Sequence, residues 1–274
     1  MHKGIESAIG VFDSGLGGLT AVARLMELLP GEDIIYLGDT GRVPYGGRSR
    51  ETIIKYARQD IGFLMAQDIK AVLVACGTVS TTALEIVAEE CAVPVCGVVE
   101  PTVARAATVT RNGKIGLIGT VASIRSNAYK RRLGEIAPEA AVYSAACPLL
   151  VPLVENGRIR PGDIVIETVV RDYLAPLKEA GIDTLILGCT HYPLLSPVIS
   201  AFMGPETTLI NSGGAAAEYM AAALGEMGLL RADGQAGTYR YYVSDSTEGF
   251  SKEASAFLQK DVRGDVVQVN MDSF

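Results

Sequence analysis

The stretch T184-L-I-L-G-C-T-H-Y-P-L-L195 begins as a short, fully apolar run and ends in the polar cluster Cys189, Thr190 and His191, where a turn and then a helix should begin. A run of that length with no polar alternation reads as a strand buried on both faces, which is the habit of parallel sheets covered by helices. Residues 71–84, AVLVACGTVSTTAL, make the same transition around Cys76. Short apolar runs of this kind alternate with amphipathic segments along the whole chain. Strands are expected over 7–12, 34–37, 71–75, 94–98, 115–118, 141–144, 184–188, 207–210 and 239–243. Helices are expected over 18–29, 50–67, 79–91, 101–110, 124–135, 161–180, 213–227 and 248–260. That alternation gives an α/β fold with mainly parallel sheets.

The same plan is written twice. AIGVFDSGLGG (8–18) resembles KIGLIGTVASI (114–124), and IKAVLVACGT (69–78) resembles IDTLILGCTH (182–191), with a cysteine in the same place. Two matches in the same order make duplication the better reading. Two similar α/β lobes would then turn the C-terminal ends of their strands toward a shared crevice, where ligands bind in open α/β sheets.

Composition narrows the function. The chain has 274 residues, 49% hydrophobic and 20% charged, as expected of a compact globular protein. No run of about 20 apolar residues is available to span a membrane. The N-terminus enters a strand pattern at once without a secretory hydrophobic segment, so a cytoplasmic location is expected. Five cysteines are an odd number and are scattered, which argues against a disulfide framework. The net charge of −7 disfavours nucleic acid as a partner, and an acidic substrate would have to be held by local donors such as loop amides.

Four strand ends carry the candidate chemistry. In FDSGLGGL, Asp13 and Ser14 read either as a helix cap or as a proton handler and a donor in the crevice. The glycines that follow lack the G-x-G-x-x-G spacing, and no lysine follows as in a phosphate-binding loop. Cys91, Cys96 and Cys147 read as buried apolar residues. Cys76 differs, because Gly77, Thr78 and Ser80 supply amides and hydroxyls beside it and a helix N-terminus favours the thiolate. Thr120 and Ser123 in GTVAS are caps or hydroxyl donors. Cys189 with His191 hints at zinc, but the only other histidine is His2 and no C-x-x-C pair exists, so no metal is expected. His191 is either a packed histidine or a general acid or base beside Cys189.

Two cysteines at equivalent strand ends suit a reaction that needs similar groups on opposite faces of one atom, such as inversion of a carbon–hydrogen stereocentre. Near-attack contacts on both faces would put the sulfurs ~6–7 Å apart.

Together FDSGLGGL, PYG (44–46), ACGTVS, IGLIGT, PLVE (152–155), GCTHYPLL and YYVSDSTEGF resemble the cofactor-independent glutamate racemases, over nearly the whole chain. The resemblance implies two α/β lobes, the first from residues 1–98 and 209–274 and the second from 99–208, and commonly a homodimer. It implies interconversion of L- and D-glutamate for peptidoglycan without any cofactor. Cys76 would act on the D-enantiomer with Asp13 assisting, and Cys189 on the L-enantiomer with His191 and Glu155 assisting. Ser14, Pro44, Tyr45, Gly46, Gly77, Thr78, Thr120, Ser123 and Thr190 would line or hold the substrate. Some members of that family bind DNA gyrase, and none of these motifs decides whether this chain does. Two positions depart from the family: Ser123 stands for a threonine, and Gly77 for the asparagine of Cys-Asn-Thr. Gly77 removes a side-chain contact, so restoring asparagine is expected to tighten glutamate binding. It also keeps open a racemase or isomerase acting on aspartate, a hydantoin or a maleate-like diacid. A protein that only binds an acidic amino acid is the alternative from another class.

Overall fold

A computed structural model of the chain describes residues 4–232, 234, 236–258, 262 and 265–274. His2 and the last two residues of the helix expected over 248–260 lie outside them. The first lobe opens with β1 (Ala8–Asp13), β2 (Ile34–Gly38), β3 (Ile69–Val74) and β4 (Val95–Gly97). The second holds β5 (Lys114–Gly119), β6 (Ala141–Ala146), β7 (Thr184–Leu187) and β8 (Thr208–Asn211). The chain then returns to the first lobe, where β9 (Tyr239–Val243) and β10 (Val266–Gln268) extend the sheet beyond β2.

The first sheet has the order β10-β9-β2-β1-β3-β4 and the second β6-β5-β7-β8. Every pairing is parallel. Numbered within its own lobe, each four-strand unit runs 2-1-3-4, so β1 corresponds to β5 and β3 to β7. These are the strands paired by the internal sequence match. Strand order reverses between β1 and β3 and between β5 and β7, which places a ligand crevice at the C-terminal end of both pairs.

Burial on both faces explains why the strands read as unbroken apolar runs. Ile9 and Val11 enter one core and Ala8 and Phe12 the opposite one. Leu185 and Leu187 point to one side of the second sheet and Ile186 to the other. Successive residues of a strand face opposite ways, so each of these strands needs apolar residues at every position.

Several helices differ from expectation. The helix expected over 79–91 is two, Gly77–Thr82 and Leu84–Glu89, broken at Ala83 with φ −130°. Thr81 Oγ1 there donates to the carbonyls of Gly77 and Thr78, and such back-bonding competes with the helical ladder. The helix expected over 124–135 is broken at Asn127, whose φ of 56° is a left-handed conformation that asparagine tolerates. Helix Leu150–Glu155 and strand β10 were not anticipated; both are short. The lobe boundary expected at 208/209 falls inside β8, which pairs with β7 from Thr208 to Asn211. The return therefore begins with helix Ser212–Glu226, whose Ala216, Ala217 and Met220 join the core of the first lobe.

Candidate active site

Four strand ends and two further segments converge between the lobes. β1 delivers Asp13 and Ser14, β3 delivers Cys76 to Thr78, β5 leads to Thr120 and Ser123, and β7 to Cys189, Thr190 and His191. The segment Val43–Gly46 and the end of helix Leu150–Glu155 complete the wall. Of the residues expected here, Ser14, Pro44, Tyr45, Gly46, Cys76, Gly77, Thr78, Thr120, Glu155, Cys189, Thr190 and His191 line one narrow space. Asp13 and Ser123 stand behind it. Val43 and Val151 also line it and were not anticipated. Val151 had a signal: it lies four residues before Glu155, on the same helix face.

The space is about 20 Å³, room for about one water molecule. A molecule of more than a few atoms does not fit there with the lobes as they stand. Across the closed seam Thr78 Oγ1 and Thr120 Oγ1 are 3.0 Å apart, and Thr81 Oγ1 lies 3.4 Å from Ser123 Oγ. Glycines make the approach this close. A β-carbon on Gly17 would meet Thr190 Oγ1 at 2.3 Å, and one on Gly46 would meet Thr120 Cβ at 2.6 Å.

The two cysteines are free thiols in different surroundings. Cys76 donates to Ser14 Oγ at 3.5 Å. Burial, together with the charge of Asp13, pushes its thiol up to about 12, so the expected thiolate at this helix N-terminus is overridden in the closed site. Asp13 accepts from the amides of Gly15 and Gly18 at 3.0 and 3.1 Å and from Thr190 Oγ1 of the other lobe at 3.3 Å. Among the described residues no hydrogen bond joins Asp13 to Cys76, so Asp13 acts on that thiol through its field. Burial raises the Asp13 carboxyl, against the opposing pull of His191 and the loop amides.

On the opposite wall, Cys189 Sγ lies 3.8 Å from His191 Nδ1, and His191 Nε2 lies 3.4 Å from Glu155 Oε1. Burial works against a charged His191. Cys189 and Glu155 outweigh it and lift the imidazole to about 10. One wall thus presents a thiol that holds its proton, and the other a cysteine sulfur beside a protonated imidazole. No Lys or Arg is among the residues lining the space. Bound carboxylates would rely on hydroxyls, amides and His191. Among the described residues no group of three or more His, Cys, Asp or Glu is placed to hold a metal.

Tyr45 lines the space as expected, but not with its hydroxyl. Its side chain is buried and turned away, with its hydroxyl on Asp39 and Asp60, which leaves its backbone to face the site.

Comparison with known proteins agrees with this arrangement. A glutamate racemase of Geobacter metallireducens is 46% identical over 266 residues, covering 97% of each chain. The crystal structure of a glutamate racemase from Bacillus anthracis superposes with a TM-score of 0.91 at 39% identity, covering 98% of both chains. A glutamate racemase from Francisella tularensis, crystallised in complex with D-glutamate, gives a TM-score of 0.91 at 38% identity, covering 98% of this chain and all of that one. The pattern that defines the Asp/Glu/hydantoin racemase family matches residues 22–220, and with two cysteine-bearing strand ends facing one closed space, the chain belongs to that family.

Proposed function

We propose that this protein is a glutamate racemase that inverts the α-carbon by two-base proton transfer between Cys76 and Cys189. The observation that carries the reading is that these cysteines end equivalent strands of two lobes with the same strand order and line one space. Relatives at 42–46% identity over most of the chain bear the name glutamate racemase, which supports the same substrate.

L-Glutamate enters the opened cleft, and its carboxylates and ammonium are taken up by Ser14, Thr78, Thr120, Thr190 and the amides of Tyr45 and Gly46, with Ser123 holding the Thr120 hydroxyl from behind at 3.0 Å. Closure excludes water, which strengthens every hydrogen bond to the carbanion that forms. With its own proton held on His191, which Glu155 supports from behind, Cys189 acts as the thiolate that removes the α-proton from one face. Cys76, which keeps its proton in the closed site, delivers that proton to the opposite face and yields D-glutamate. In the reverse direction Asp13 takes the Cys76 proton once the opened lobes bring the two within reach, and the Cys76 thiolate then removes the α-proton of D-glutamate while the Cys189 thiol delivers its own to the other face. The closed resting state is therefore poised for L-glutamate. No step is routed through a cofactor. Supply of D-glutamate for peptidoglycan, a cytoplasmic location and a homodimer belong to the same proposal. Among the described residues no helix is long and apolar enough to cross a membrane.

Circular dichroism of the dialysed protein with L-glutamate, then with L-aspartate, tests the substrate. Decay of the glutamate signal to zero, much faster than that of aspartate, is expected. Preference for aspartate would move the assignment to another member of the family.

A further inference from the structure

The cavity segment Val43–Gly46 is anchored from behind by a buried polar cluster. Tyr45 is 1% exposed, and its hydroxyl contacts Asp39 Oδ2 and lies 2.9 Å from Asp60 Oδ2. Both carboxyls are fully buried. Asp39 follows β2, and Asp60 sits on the helix Arg50–Met65. One guanidinium reaches both: Arg42 Nε donates to Asp39 Oδ2 at 2.6 Å and Nη2 to Asp60 Oδ1 at 2.9 Å. Arg42 also lies 4.2 Å from the centre of the Tyr56 ring. Ser244 donates to Asp39 Oδ1 at 2.6 Å, which ties the end of β9 into the cluster.

Proton counting exposes a deficit. A phenol donates one proton, yet carboxylate oxygens sit on both sides of this one. Two buried anions against one guanidinium would also leave a charge uncompensated. Both deficits vanish if one carboxyl is neutral. Asp39 accepts from Arg42, Tyr45 and Ser244, whereas among the described residues Asp60 has only Arg42 besides the phenol, so Asp39 is the better placed to carry the charge. Burial and the Asp39 charge push the Asp60 carboxyl well above the usual carboxylate range, which agrees.

We infer that Asp60 is protonated and donates to the Tyr45 oxygen, that Tyr45 donates onward to Asp39, and that this relay, clamped by Arg42, positions the segment 43–46 against Thr120. Asp39, Asp60 and Arg42 are then positioning residues: they touch no substrate, but they fix how far Gly46 reaches across the seam and so the shape left for the ligand. The kinetic consequence rests on the racemase reading proposed above; the protonation does not.

Two readouts test it. The infrared difference between wild type and Asp60→Asn at neutral pH should contain the carbonyl stretch of a neutral carboxylic acid, lost in the variant. In racemisation assays Asp39→Asn and Tyr45→Phe should raise KM for glutamate about tenfold or more with a smaller change in kcat, whereas Asp60→Asn, whose amide still donates to Tyr45, should raise it less than about threefold. Asp60→Ala should behave like Tyr45→Phe, so that asparagine counts as a rescue. Absence of the neutral-acid band, or Asp60→Asn as damaging as Asp39→Asn, would overturn the inference. A wild type that does not turn over glutamate would instead sink the racemase reading, and the spectrum would still decide the protonation. If Asp39→Asn fails to fold, the spectrum and the comparison of Asp60→Asn with Asp60→Ala and Tyr45→Phe decide the outcome.

Discussion

Gly77 and Gly188 meet backbone to backbone across the two lobes: a β-carbon on Gly77 would lie 2.4 Å from the Gly188 carbonyl oxygen. The residue after Cys76 is therefore glycine because the lobes close on it. The sequence suggested that asparagine at this position would restore a substrate contact and lower KM. The closed geometry reverses that expectation. Gly77→Asn should hold the lobes apart and cost about tenfold or more in kcat/KM for glutamate, a typical effect of overpacking against unyielding backbone. Steady-state kinetics on both enantiomers check this, and a variant with lower KM and intact kcat would show that the lobes work further apart.

A neighbouring pair of glycines separates closure from general stability. Gly46 faces Thr120 at 2.6 Å from its would-be β-carbon, whereas Gly47 has nothing within 4 Å. Gly46→Ala should lower kcat/KM by about tenfold. Gly47→Ala should remain close to wild type, and both variants can be checked for folding by thermal melting.

The two cysteines should fail with opposite handedness. Cys189→Ser should lose α-proton abstraction from L-substrates and Cys76→Ser from D-substrates, each by about a hundredfold or more. Loss of HCl from β-chloro analogues of each hand reads abstraction alone, because chloride departs as the α-proton is removed and no reprotonation is needed. Both variants losing the same hand would refute the facing-cysteine arrangement.

His191 makes stability depend on pH in a set direction. Its imidazole is raised from 6.5 to about 10, because Cys189 and Glu155 outweigh burial. A group raised on folding contributes stability that is complete below its unfolded value and is lost as pH climbs through its folded one. The urea midpoint of wild type relative to His191→Asn should therefore be highest below about pH 6.5 and fall toward the variant as pH approaches 10. A difference that grows with pH would mean that His191 is buried neutral.

Much of this could be read from residue order. The runs at 71–74 and 185–187 announce buried parallel strands because each position is apolar, and the two cysteines follow at matching places. Asp13, Ser14, Thr120 and His191 stand where strands end, and strand ends are where an α/β crevice forms. Other features depend on partners far apart in the chain. The Tyr45 hydroxyl looks free to reach a ligand until Asp39 and Asp60 are brought behind it. Gly77 looks like a missing side chain until Gly188 arrives from the other lobe. The thiol of Cys76 looks activated by its helix until burial and Asp13 reverse the balance.

Two-base inversion is tested most directly by racemising L-glutamate in D₂O with dialysed enzyme and following α-deuterium in each enantiomer by mass spectrometry. Because one cysteine removes the proton and the other delivers its own, the first D-glutamate formed should carry deuterium at the α-carbon while the remaining L-glutamate stays protiated. D-Glutamate that keeps the original α-protium, or an L-glutamate pool labelled as fast as product appears, would contradict the transfer between Cys189 and Cys76.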